Sequence, residues 1–201
     1  SKLLSTSLDL YGSTCYEASG FQKKYDTNIS EKILVNNFNF SSKPFFTKLG
    51  FKNNFKILYK NTNKDSKNSA TYKEKLSSDN YASLILDSTY PLRKKTQGFE
   101  SQLIPRISLR ASPRRSENLK NQDRRIDAVN AFSTNRLGFK DSLEGGQSLT
   151  IGSEYNLNNI NGNEILKINL AQIYRDINEK NLPIKSKMTT KSSDVVGGIE
   201  F

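Results

Sequence analysis

The side chains best suited to chemistry in this 201-residue chain are the arginines in and around one long segment, residues 112–146. A guanidinium group matches the geometry of phosphate oxygens, so clustered arginines predict phosphate binding. The candidate phosphate contacts are Arg110, Arg114, Arg115, Arg124 and Arg125. The alternative is a solvated loop whose arginines pair with its own carboxylates, since exposed ion pairs contribute little to stability.

Catalytic and metal-binding residue sets are missing from the sequence. The chain has no histidine and one cysteine, Cys15, which excludes histidine triads, an intrachain disulfide and a cysteine metal cluster. No nucleophile lies in a recognisable frame, and the glycines near Ser148 lack the lysine of a phosphate-binding loop. Asp141 and Glu144 are three residues apart, and we expect them to be solvated. The sequence therefore predicts no enzyme, no metal and no cofactor.

The charge balance indicates an anionic partner. Lys and Arg total 31 against 20 Asp and Glu, a net charge of +11. Such an excess is typical of proteins that meet nucleic acid, an acidic membrane face or a phosphorylated glycolipid, although solubility alone could explain it. A hydrophobic fraction of 34% is lean for a soluble globule but typical of a barrel with a wet interior.

The elements that must position these arginines are predicted to be strands, because apolar and polar residues alternate with a period of two. The strongest segments are Leu49–Lys60, Phe99–Ala111, Gln147–Asn158 and Asn163–Arg175. Weaker ones are Lys2–Tyr11, Thr14–Tyr25, Ile29–Phe40, Tyr81–Tyr90, Ser193–Phe201 and the short Ala70–Leu76. Turn-forming residues predict connections at Ser41–Pro44, Asn61–Asn68 and Asn158–Gly162.

Two all-β architectures fit this alternation. A soluble sandwich turns its apolar faces inward, whereas a transmembrane barrel turns them to lipid and its polar faces to the lumen. Several strands reach the roughly 9–11 residues that cross a bilayer. Aromatic residues lie near strand ends, as an interfacial girdle requires: Phe40, Tyr59, Tyr90, Phe99, Tyr155 and Tyr174. These features favour the barrel.

No signal peptide follows Ser1, so we expect a mature soluble chain or an internal piece of a longer one.

A series of motifs in fixed order resembles the barrel domain of the LptD/OstA family of lipopolysaccharide-assembly outer-membrane proteins. The resemblance is strongest from Ser101 to Gly197 and includes LIPR at 103–106, QSLTIG at 147–152 and QIYR at 172–175. The motif positions in and around the long loop are Pro105, Arg106, Asp127, Asn130, Phe132, Asn135, Arg136, Gly138, Asp141 and Gly146.

The resemblance implies an antiparallel up-and-down transmembrane β-barrel. Residues 1–201 would be an incomplete slice of about nine or ten strands, with Phe201 as a cut point. The long basic loop at about 112–146 would lie at the outer surface, ordered and folded in. The implied function is movement of lipopolysaccharide into the outer leaflet of a Gram-negative outer membrane, so that the candidate arginines would meet lipopolysaccharide phosphates. The implied partners are lipopolysaccharide, outer-membrane lipids, an LptE-like plug lipoprotein and an LptA-like periplasmic bridge protein, with no nucleic acid. Another outer-membrane barrel, such as a porin or receptor, and a soluble basic β-sandwich that binds polyanions are the alternatives.

Overall fold

A single antiparallel sheet dominates the computed structural model, which describes residues 12–24, 28–69, 74–113 and 116–201. Its strands are β1 (Gly12–Lys24), β2 (Ser30–Ser42), β3 (Phe45–Phe46), β4 (Lys52–Lys67), β5 (Ser77–Thr89), β6 (Leu92–Thr96), β7 (Phe99–Ser112), β8 (Gly146–Asn159), β9 (Glu164–Arg175) and β10 (Val196–Glu200). Two short 3-10 turns, Asn130–Phe132 and Ile184–Ser186, are the helical elements of the described ranges. Neither is long or apolar enough to cross a membrane.

The strands follow one another as an up-and-down meander. Their order is β1-β2-β4-β5-β7-β8-β9-β10, with the short β3 on β4 and the short β6 on β7. Over the described residues β1 and β10 do not pair with each other, so the sheet is open. The predicted all-β, antiparallel up-and-down architecture is confirmed.

Most predicted strands are confirmed within a few residues. Thr14–Tyr25 and Ile29–Phe40 correspond to β1 and β2, and Gln147–Asn158 is β8 extended by one residue at each end. The segment Lys2–Tyr11 lies outside the described residues. The described part of Ala70–Leu76 contains no strand, so that prediction is wrong there.

The prediction of a turn over Asn61–Asn68 is also wrong, because β4 continues without interruption to Lys67. Asparagine favours turns, but here the asparagines bond sideways to neighbouring strands. Asn61 Nδ2 donates to Asn80 Oδ1 at 2.9 Å and Asn36 Nδ2 donates to Asn61 Oδ1 at 3.2 Å. Cross-strand bonding therefore overrides local preference.

The other two predicted connections have different outcomes. The turn at Asn158–Gly162 is confirmed: Gly162 has φ 82° and its N–H donates to the Asn159 carbonyl at 3.0 Å. Ser41–Pro44 only separates β2 from β3, and the chain reverses later, where Gly50 has φ 89° and donates to Thr47. Proline interrupts the ladder because it has no N–H to donate.

The two faces of the sheet differ in polarity and cover, and we call them the outer and inner faces. The outer face exposes large apolar side chains, among them Leu34, Phe38, Ile57, Tyr59, Leu84, Leu86, Leu103, Ile107, Leu109, Ile151, Leu170 and Tyr174. The inner face buries polar and charged ones, among them Lys60, Thr62, Lys64, Asp87, Ser108, Arg110, Ser148, Thr150, Asn169 and Arg175. On β4, Ile57 is 42% exposed while Thr62 is fully covered. This is the reverse of a soluble sandwich.

Two long connections cover the inner face. The first inner loop, residues 116–145, joins β7 to β8, and the second inner loop, residues 176–195, joins β9 to β10. Together with β9 they build a small apolar core from Leu119, Ile126, Ala131, Leu137, Ala171, Ile173, Leu182 and Met188. Backbone bonds also join the loops, such as Leu119 N–H to the Asn181 carbonyl at 2.7 Å. Burial of this core holds both loops against the sheet.

Candidate functional site

The first inner loop is shaped by side chains that bond to their own backbone. Asp127 Oδ1 accepts the N–H groups of Val129 at 2.9 Å and Asn130 at 2.7 Å. Asn135 Oδ1 accepts the Gly138 N–H at 3.2 Å, where Gly138 has φ 75°. Asp and Asn favour such local turns because their short polar side chains reach nearby N–H groups. The motif residues of this loop therefore fix its path.

An aromatic contact anchors the first inner loop to the sheet. The Arg106 guanidinium carbon lies 4.3 Å from the centre of the Phe132 ring, which places a cation over an aromatic face. Gly152 of β8 leaves room for that ring, since a Cβ there would lie 2.8 Å from Phe132 Cε2 and 2.3 Å from the Leu170 carbonyl oxygen. Pro105, the neighbour of Arg106 in β7, accepts the Tyr90 N–H at its carbonyl.

A buried ion cluster is the second anchor. Arg136 and Glu144, 1% and 2% exposed, form a bidentate pair through two hydrogen bonds of 2.5 Å. Arg136 also donates to the hydroxyls of Ser148 at 2.7 Å and Thr150 at 2.8 Å on β8. Charge-assisted bidentate bonds are the strong class of hydrogen bond, so this pair fastens the loop to the sheet.

The ion cluster extends to neighbouring strands. Arg175, at the end of β9, donates to Glu144 and to the Gly145 carbonyl. Arg110 of β7 is buried and donates to the Ser133 carbonyl at 3.0 Å. Gly146 has φ 77°, and a Cβ there would lie 3.0 Å from an Arg175 nitrogen. One carboxylate thus faces several guanidinium groups.

The electrostatics of the cluster keep Glu144 ionised. Burial alone would raise the pKa of the Glu144 carboxyl, but the guanidinium groups of Arg136, Arg110 and Arg175 outweigh it and lower the pKa to about 2. The expectation that Glu144 is solvated beside Asp141 is therefore wrong. In the described ranges no three acidic or sulfur side chains come together as a metal site would require.

Three lysines of β4 form a third attachment. Lys56 Nζ lies 3.3 Å from the Thr134 hydroxyl, Lys60 donates to the Lys140 carbonyl, and Lys64 pairs with Glu117 at 3.1 Å and with Asp141 at 3.8 Å. These lysines occupy every fourth position, so all point to the inner face of the strand. The motif residue Asp141 is thus part of this attachment.

The five candidate phosphate contacts do not form one exposed surface in the described part of the chain. Arg110 is buried on the inner face, and Arg124 is half-buried and donates to the Arg136 carbonyl at 2.8 Å. Arg125 is exposed. Arg114 and Arg115 lie outside the described residues.

Sequence reasoning missed the second inner loop and the role of Arg175. The Arg175–Glu144 contact spans 31 residues, and no spacing rule connects such distant positions. One signal was present: Ser148, Thr150 and Arg175 all fall on the predicted polar faces of adjacent strands. Their inward direction could have suggested a shared partner.

An open meander with an apolar outer face and a loop-covered polar inner face defines the wall of a transmembrane β-barrel. Residues 22–201 match the profile of the LptD family, described as LPS transport system D. The chain belongs to this family, which acts in lipopolysaccharide transport and resides in the Gram-negative outer membrane. A comparison with curated proteins finds no match.

Proposed function

We propose that this chain forms part of a barrel wall through which lipopolysaccharide moves into the outer leaflet. In this proposal the acyl chains stay on the side of the membrane and the phosphorylated saccharide passes along the polar inner face. The observation that supports it is the inverted polarity of the sheet, with leucine and isoleucine outside and lysine, arginine and serine inside. A wall of this kind gives the acyl chains an apolar environment on its outer face and the saccharide a polar environment on its inner face.

Orientation in the membrane is tested by tryptophan scanning, because the chain has no natural tryptophan. Ile107→Trp places the probe on the outer face of β7, and the matched Ile104→Trp places it on the inner face of the same strand. In vesicles of brominated lipid we expect strong quenching for I107W and weak quenching for I104W. Equal quenching would contradict the orientation.

Transport itself is tested by depletion. When the protein is depleted from cells, we expect newly made lipopolysaccharide to stop reaching the cell surface and to return when the protein is restored. A porin or receptor would leave surface lipopolysaccharide unchanged and alter only solute uptake. We also propose an LptE-like plug lipoprotein and an LptA-like bridge protein as partners, which family membership supports.

Of the five candidate arginines, Arg114, Arg115 and Arg125 are the proposed lipopolysaccharide phosphate contacts, because Arg110 and Arg124 donate to loop carbonyls. Charge reversal of Arg114 and Arg115 together should weaken crosslinking of lipopolysaccharide to the protein, since each guanidinium can bind phosphate through two parallel hydrogen bonds. Unchanged crosslinking would favour the solvated-loop alternative.

A further inference from the structure

Three buried arginines converge on the inner face where the first inner loop is attached. The strand register places Arg110 of β7 and Arg175 of β9 on either side of Ser148 of β8. Arg136 of the loop donates to the Ser148 hydroxyl at 2.7 Å, and all four residues are buried. The carboxylate that these guanidinium groups share is Glu144, so three positive charges face one negative charge.

That carboxylate is already fully used. Its Oε1 accepts hydrogen bonds from Arg136 and Arg175, and its Oε2 accepts one from Arg136. The other fully buried carboxylates of the described residues are Asp87 and Glu179, and neither forms an ion pair with the three arginines. Asp87 pairs with cations of β4 and β7, and Glu179 accepts a backbone N–H of its own loop. Positive charge is therefore in excess around Ser148.

Hydrogen-bond donors also outnumber acceptors there. Arg175 Nε is buried and has no acceptor in the described part of the chain. The hydroxyls of Ser148 and Thr150 each accept a guanidinium N–H, which leaves their own protons free to be donated. Arg110 donates to one loop carbonyl and has further N–H groups to offer. Buried donors that lack an acceptor cost free energy, so the group favours a ligand that accepts.

A small anion meets this requirement better than water does. Water accepts hydrogen bonds but brings two donors of its own, which would add to the surplus. A halide ion only accepts, and its charge offsets the excess of buried guanidinium charge, which is costly when uncompensated. It also accepts from any direction, which suits donors that come from three neighbouring strands.

We infer that Arg110, Ser148 and Arg175 bind a chloride ion that helps to fasten the first inner loop to the sheet. Docking of the loop brings a further guanidinium, that of Arg136, into the same buried place. Chloride binding and loop attachment therefore stabilise each other, because the ion binds the state in which the loop is docked. The site goes beyond lipopolysaccharide transport, since it serves the position of the loop whatever the barrel carries.

The position of the ion is tested by crystallography with bromide, which replaces chloride and is located by its anomalous scattering. In crystals of the protein purified from outer membranes and grown in sodium bromide, we expect an anomalous peak in contact with Ser148 Oγ and with the guanidinium groups of Arg110 and Arg175. No peak, or peaks only at the protein surface, would overturn the inference.

The energetic role is tested by thermal unfolding of the same protein, with sodium gluconate replaced stepwise by sodium chloride at constant ionic strength. We expect the melting temperature to rise with chloride, because the ion binds the folded state. Arg110→Gln should weaken the apparent chloride affinity about ten-fold, since a charged donor is lost. The matched control is Lys94→Gln, which makes the same charge change at an exposed lysine of β6 and should keep the full chloride response.

Each outcome decides the inference. Equal chloride responses in R110Q and K94Q would overturn the site. If R110Q does not fold, as judged by heat-dependent gel migration, S148A replaces it with the same expected direction, because it removes a donor without changing the charge. Trypsin cleavage at Arg124 and Arg125 should be slower in chloride than in gluconate, and equal rates would overturn the role of the ion in holding the loop.

Discussion

At the scale of single residues, Glu144 has the most demanding environment in the described structure. It is almost fully buried and accepts hydrogen bonds from Arg136 and Arg175. Removing one partner of a buried ion pair is costly because the remaining charges lose their compensation. The cluster therefore makes the position of the first inner loop depend on a single carboxylate.

We predict that Glu144→Gln destabilises the folded protein by about 3 kcal/mol near neutral pH. The folded pKa of about 2 lies below the ordinary glutamate value of about 4.3, so the contribution of the ionised carboxylate is complete above pH 4.3 and is lost as pH falls through 2. Thermal unfolding followed by circular dichroism should separate the unaltered protein from E144Q at pH 6 and bring them together near pH 2.

The matched control is Glu117→Gln, which removes a half-exposed carboxylate of the same loop. Because Glu117 is itself partly exposed and Lys64 keeps Asp141 as a second partner, we expect a loss of about 1 kcal/mol or less. A loss as large as that of E144Q would mean that burial of the ion cluster is not the cause.

At the scale of elements, the strands could be predicted from the sequence better than their lengths or the loops. Alternation identified β4, β7, β8 and β9 because each has one apolar and one polar face. It failed at Asn61, where the residue type favours a turn but the partners Asn36 and Asn80 on neighbouring strands decide the outcome. Information held by another strand is not available to a local rule.

In the candidate site, too, contacts between residues close in sequence could be predicted, whereas contacts between distant segments could not. The side chains of Asp127 and Asn135 bond to residues within four positions, so local sequence rules can predict these turns. The pairing of Glu144 with Arg175 and the core around Leu182 and Met188 join segments far apart in the chain. Such contacts depend on how the sheet curves and on which face each loop returns to.

Attachment of the first inner loop to β4 leads to a prediction for the loop as a unit. Replacing Lys60 and Lys64 with Met removes donors to the Lys140 carbonyl and to Glu117. If each attachment contributes about 1 kcal/mol, the detached fraction of the loop rises about 30-fold. Trypsin cleavage at Arg124 and Arg125 should accelerate accordingly, because proteolysis follows the open population.

Lys52→Met is the control for this experiment. Lys52 lies on the same strand, but it is exposed and its side chain makes no hydrogen bond to the loop within the described residues. We expect its cleavage rate to match that of the unaltered protein. Acceleration in K52M as well would point to general loosening of β4, and no acceleration in K60M/K64M would show that the apolar core alone retains the loop.

At the scale of the whole molecule, side chains of the outer face mark the limits of a hydrocarbon band. One limit is an asparagine ladder, Asn36, Asn61 and Asn80, bonded to the hydroxyls of Tyr16 and Tyr59. The other has exposed phenylalanines at Phe45, Phe46, Phe51 and Phe99. Aromatic girdles and amide side chains prefer the interface, whereas leucine and isoleucine fill the interval between.

The sheet also indicates which limit faces outward. The long inner loops lie at the asparagine end of the strands, where β4 also ends and β5 begins, whereas the tight turns at Gly50, Gly98 and Gly162 lie at the phenylalanine end. Outer-membrane barrels place short turns in the periplasm and long loops outside. We therefore expect the asparagine ladder to lie at the outer-leaflet surface.

The depth of a residue in the hydrocarbon band should determine how much a lysine there costs, and two positions on β5 test this. Leu86 is 40% exposed on the outer face within the apolar interval, and Asn80 lies in the ladder six residues away. A lysine in mid-bilayer costs about 2–4 kcal/mol and one near the interface about 0–1 kcal/mol. Folding yields into vesicles of defined thickness should therefore fall sharply for Leu86→Lys and little for Asn80→Lys. Equal losses would mean that the outer face does not meet hydrocarbon, and with that the amphiphile path proposed for this wall would lose its physical basis.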